Sequence, residues 1–92
     1  MSAKIEVEKI NALHFRVRVI EGGSESTHQV TIDPKDYARL AGSAVKPEEL
    51  IRKSFEFLLE REPKESILSR FDLSVISRYF PEYEEKIKKM LL

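Results

Sequence analysis

Residues 66–80 read SILSRFDLSVISRYF. Ile67, Leu68 and Phe71 are spaced as on one face of a helix, and Asp72 stands where a cap belongs, ahead of Leu73, Ile76 and Phe80. Pro81 then closes the second run. The spacing predicts two short packing helices joined at Asp72, one over about 64–70 and one over 72–80. The ending S-x-I-S-R-Y-F also reads like the second helix of a DNA-binding helix-turn-helix, so the stretch bears on function as well as fold.

The details argue against such a motif. Its turn, Phe71-Asp72, has no glycine, and a carboxylate at that point repels phosphate. Val75 and Ile76 follow Ser74 directly, where the motif spaces a cap and its core residue further apart. Pro81 cuts the candidate helix to about two turns, glutamates follow, and Arg70 and Arg78 are the only cations between residues 65 and 85. A degenerate helix-turn-helix at about 65–80 stays as the alternative reading, a nucleic-acid-binding regulator.

Upstream, Asp33-Pro34-Lys35-Asp36 has the composition of a helix start, and Gly42 that of its end. A second helix starts at Pro47-Glu48-Glu49 and runs to about Glu62, before Pro63. Leu50, Ile51, Phe55, Leu58 and Leu59 give it one apolar stripe, with Phe57 beside it. After Pro81 a last helix is expected to Leu92, acidic at its start and basic at its end.

The first third has a period of two. In 13–20, LHFRVRVI, Leu13, Phe15, Val17 and Val19 share one face; in 27–33, THQVTID, His28, Val30 and Ile32 do. A turn over Gly22 to Glu25 pairs Glu21 with Ser26, which sets Val17 opposite Val30 and Val19 opposite His28. A three-residue turn at Ile10-Asn11-Ala12 adds KIEVEK as a third strand, with Val7 beside Phe15, Ile5 beside Val17, Glu6 opposite Arg16 and Lys4 opposite Arg18. The expected fold is α+β, one domain over 1–92: an N-terminal three-stranded antiparallel meander (1–33) packed against three or four C-terminal helices (34–92).

Composition narrows the function. Charged residues make up 35% of the 92-residue chain, yet Lys and Arg number 16 against 16 Asp and Glu. The half before residue 46 is balanced as well, so no segment carries the basic excess of a nucleic-acid interface. With no cysteine and two histidines, His14 and His28 on opposite sheet faces, neither a thiolate site nor a shared catalytic site is expected. No phosphate-cradling glycine loop and no metal-ligand spacing occur. The expectation is a non-enzyme without cofactor or metal. MSAKIEVEKI lacks a signal-like apolar run and nothing approaches the ~20 apolar residues of a membrane span, which points to the cytoplasm.

What remains is docking to a protein partner or self-association as a homodimer. Strand 27–33, with few charges, is the less protected sheet edge, and Met90-Leu91-Leu92 is an apolar end. The partner-contact candidates are Arg16 and Arg18 on the sheet and Arg70 and Arg78 in the helical part. In the expected register Glu6 faces Arg16 and Glu8 faces His14, so two of the three cationic residues His14, Arg16 and Arg18 on that face meet carboxylates, which reduces its availability to a ligand.

From SFEFLLEREPKESIL through RFDLSVISRYFPEY, over roughly residues 45–85, the chain resembles small uncharacterised prokaryotic proteins. That resemblance implies a stand-alone cytoplasmic domain and transfers no site residue. A weaker likeness is to small antitoxin or regulator proteins, which also combine a short sheet with helices.

Overall fold

The computed structural model describes residues 3–42 and 44–92. The fold is α+β. Strands β1 (Lys4–Asn11), β2 (His14–Glu21) and β3 (Ser24–Thr31) form an antiparallel meander. Helices α1 (Pro34–Ala41) and α2 (Pro47–Leu59) follow. A single 3-10 turn at Lys64–Ser66 leads into β4 (Arg70–Asp72), then α3 (Ser74–Tyr79) and α4 (Tyr83–Met90). The sheet order is β1-β2-β3-β4, with β4 parallel to β3.

The meander is as expected in strand number and facing, but each register lies two residues from the expected one. Glu21 pairs with Ser24, because Gly22 and Gly23 alone make the turn with φ of 58° and 86°. Two consecutive positive φ angles give a tight hairpin whose twist matches that of its strands, and glycine reaches them without strain. Val17 therefore faces His28, and Phe15 faces Val30. In the first hairpin Val7 pairs with Val17 and Glu6 with Arg18. A bulge between Lys9 and Asn11 absorbs the extra residue, and no described non-glycine residue takes a positive φ, so Asn11 needs no left-handed conformation. A shift of two preserves which face each side chain occupies, so the apolar face is the one the alternation predicts.

Ile5, Phe15, Val17, Val19 and Val30 from the sheet join Leu50, Ile51, Phe55, Phe57 and Leu58 of α2 in one buried cluster. Asp33 caps α1 by accepting from the Lys35 amide at 2.8 Å, and Gly42 ends that helix at φ 66°. Tyr83 of α4 is fully buried and its hydroxyl meets the Ser54 hydroxyl at 2.6 Å; Ser54 in turn donates to the Leu50 carbonyl. Burial keeps the Tyr83 phenol protonated far above its ordinary range. Met90 and Leu91 pack on the core. Among the described residues no helix is long and apolar enough to cross a membrane.

The segment 66–80 departs most from its expected course. No helix spans 64–70: after the 3-10 turn the chain is extended and joins the sheet. The Gln29 amide donates to the Ser69 carbonyl and the Leu73 amide to the Thr31 carbonyl, both at 2.8 Å. These bonds satisfy part of the β3 edge that sequence pattern left open, so that edge is covered from Gln29 to Thr31. Phe71 is buried while Arg70 is exposed, the alternation of a strand. Ile67 and Leu73 are buried, whereas Leu68, expected in the core, is 49% exposed. Asp72 does act as a cap: its carboxylate accepts from the Ser74 amide at 3.0 Å and the Ser74 hydroxyl at 2.7 Å.

Candidate functional site

The residues that build β4 and α3 also line an open groove of about 480 Å³. Leu58 and Glu62, at and just beyond the end of α2, form one wall. Val75, Ile76, Tyr79 and Phe80 form the other, with Ile67, Leu68 and Phe71 between them. Phe71 lies 6.0 Å from Phe55 between ring centroids, and Phe55 is 5.3 Å from His28, so the groove floor is continuous with the core. Leu68 is half exposed and Tyr79 is 68% exposed, so large apolar surface reaches solvent at this place. Glu62 and Ser66 are its polar lining residues.

Side-chain hydrogen bonds fix the course of the segment. His28 is buried, and its Nδ1 lies 2.7 Å from the Leu68 carbonyl. A carbonyl only accepts, so Nδ1 carries a proton there, and Nε2 pairs with the Ser26 hydroxyl at 2.7 Å. Within the 3-10 turn Lys64, only 5% exposed, donates to Glu65 at 2.5 Å, and this hydrogen bond, with that of Glu65's own backbone amide, holds the Glu65 carboxyl below the usual range. Asp72 also accepts from the Thr31 hydroxyl at 2.7 Å. Partial burial opposes ionisation of Asp72, but the bonds from Ser74 and Thr31 outweigh it and hold its carboxyl below the ordinary aspartate range, with Arg78 adding attraction.

The Ser26–His28 pair has the spacing of a nucleophile and its base, a constellation missed in the sequence because it depends on the strand's inward face. It does not line the groove. Its Nδ1 is spent on tying down Leu68, and a buried histidine with both nitrogens bonded serves as a satisfied core residue. His14 lies on the other sheet face with Gln29 Oε1 at 3.2 Å. Among the described residues no group of three or more His, Asp or Glu side chains is placed to hold a metal.

The four arginines singled out by sequence divide two and two. Arg16 meets Glu8 at 2.6 Å; Arg18 meets Glu6 and Glu25, each at 2.9 Å. Contact with Glu25 and Glu6 keeps Arg18 charged, and Arg18 draws the Glu25 carboxyl below its ordinary range. Arg70 shares the outer sheet face with Arg16 and Arg18, in a register row that runs Glu8, Arg16, Gln29, Arg70. Arg78 stands apart on α3, near Asp72. Among the described residues neither Arg70 nor Arg78 has an ion-pair partner, whereas Arg39 and Arg61 both do.

On the outer sheet face Lys4, Arg16, Arg18 and Arg70 are matched by Glu6, Glu8, Glu25 and Asp72, and no aromatic side chain stands among them. Compared with models of protein families, curated protein sequences and solved structures, the chain matched none.

Proposed function

We propose that this chain is a small docking domain that carries out no chemistry of its own and works by placing the Ser66–Phe80 groove against a protein. The observation that carries the reading is the groove itself: about 480 Å³, mostly apolar, with Leu68 and Tyr79 exposed at the place where β4 ends the sheet. Large apolar side chains held out in water around a concavity mark an interaction surface more often than a structural need. Two side-chain hydrogen bonds from β3, His28 to the Leu68 carbonyl and Thr31 to Asp72, support the extended course of this segment.

The nucleic-acid reading has less support. Residues 65–80 run as a turn, a strand and one helix, not as two helices. The open sheet face lacks the basic excess and the aromatic platforms that hold single-stranded nucleic acid.

Peptides selected from a random library against the wild-type chain test the docking reading. Binding of the selected peptides is expected to be lost in Leu68→Glu and in Tyr79→Glu, both exposed positions where the fold tolerates a charge. Peptides that bind these variants as well as wild type would place the docking surface elsewhere.

A further inference from the structure

We propose that the protein seated on this groove is a second copy of the same chain, joined through the free edge of β4; the inference rests on the docking reading above. β4 is the terminal strand of the sheet. Its ladder to β3 uses the Ser69 carbonyl and the Leu73 amide. Backbone groups alternate in direction along a strand, so Ser69, Phe71 and Leu73 face β3, while the amide and carbonyl of Arg70 and Asp72 face the open edge.

That edge is complementary to itself. Place two copies antiparallel about a twofold axis at Phe71, and Arg70 falls opposite the partner's Asp72 while Asp72 falls opposite the partner's Arg70. Both are hydrogen-bonded positions in this register, so each pair exchanges two backbone bonds. The paired side chains stand on the same outer face, with opposite charge, twice over. Arg70 is the one cation of that face without an ion-pair partner among the described residues. Asp72 already accepts from Thr31 and Ser74, but a carboxylate has further lone pairs for a guanidinium.

The other edge does not offer this. Two copies of β1 paired about Val7 bring Glu6 against the partner's Glu8, and paired about Glu6 they bring like charges together on the axis. Paired about Ile5, Lys4 meets the partner's Glu6, but Lys4 and Glu6 already pair within one copy and Arg52 donates to the Ile5 carbonyl on the axis. A bulge near Ile10 disrupts that edge further. Three residues of β4 are too short to hold two domains by backbone bonds alone. The remaining area comes from the groove: Leu68 precedes β4, Tyr79 follows it, and the twofold brings both copies' apolar rims to the same side of the joined sheet. The result is a closed pair with one continuous eight-stranded sheet, as four strands are contributed by each copy.

Sedimentation or light scattering over a concentration series tests this on the whole chain. The mass is expected to rise from 10.7 kDa toward twice that value. Arg70→Asp, which opposes two carboxylates at each pair, is expected to weaken dimerisation at least about tenfold. Arg70→Pro is expected to do the same by removing an edge amide that the β3 ladder does not use. Arg16→Gln, on the same face but away from the edge, leaves the mass curve unchanged. Circular dichroism confirms that each variant folds. A chain that is monomeric at every concentration overturns the proposal, as does a dimer indifferent to both Arg70 substitutions. If the chain is monomeric and selected peptides still depend on Leu68, the second copy is wrong and the docking reading stands.

Discussion

The outer face of the meander and the Ser66–Phe80 segment are both exposed, and they use exposure in opposite ways. On the meander, Arg16 and Arg18 are answered by Glu8, Glu6 and Glu25 within the same sheet. In the later segment Leu68 and Tyr79 stand in solvent, and Arg70 and Arg78 of the same segment lack such partners among the described residues. One surface has its interactions completed internally. The other is bonded to β3 and left open. A row of cations in sequence is thus a poor guide to a binding face until the strands beside it are known, because pairing consumes it.

The sharpest way to break the contrast is to remove what holds the open segment in place. Phe55 touches both His28 and Phe71, so Phe55→Ala removes the packing between sheet, helix and β4. The expected loss is about 3–5 kcal/mol. That is a large share of the roughly 5–15 kcal/mol that a domain of this size has in all. Chemical denaturation reads it directly. Substitution His28→Phe keeps a ring but strands the Leu68 carbonyl and the Ser26 hydroxyl, with an expected cost of about 1–3 kcal/mol. Its distinguishing mark is faster exchange of the Leu73 amide, while amides between β1 and β2 stay protected.

A smaller effect is expected at the cap. Asp72→Ala should cost about 0.5–2 kcal/mol, the usual range for a lost helix cap. It should also change the pH dependence. The Asp72 carboxyl is held below its ordinary value in the folded chain, so its bonds contribute stability above the unfolded aspartate pKa near ~3.9. That contribution disappears as pH falls through the folded value. Wild type should therefore lose stability on acidification more steeply than Asp72→Ala, and equal slopes would remove the role given to this carboxylate. At the far end, Arg16→Gln breaks one exposed pair and should cost less than ~1 kcal/mol, an effect that added salt reduces further.

Much of this architecture was legible in the residues. The alternation of Phe15, Val17 and Val19 and the stripe of α2 located the core, since periodicity repeated over eight or more residues leaves little choice of element. Register was not legible, because whether the turn takes two residues or four depends on Gly22 and Gly23 both adopting positive φ. β4 was hidden for a different reason. Three residues carry too little periodicity, and Ile67, Leu68 and Phe71 fit a helix as well as a strand. What decides between them is distant: backbone groups of Gln29 and Thr31 that need partners, and His28 reaching the Leu68 carbonyl. The groove inherits that difficulty. Most of its residues lie within 66–80, yet Leu68 is exposed where the helix expected there is replaced by an extended run into β4.

The contrast itself is tested most directly by following backbone amide NMR shifts of the whole chain from dilute to concentrated solution. Shifts that move between Leu68 and Tyr79, with the amides of Glu6, Arg16 and Arg18 unchanged, are the predicted result. Shifts centred on the charge-paired face of β1 and β2, or none at any residue, would contradict it.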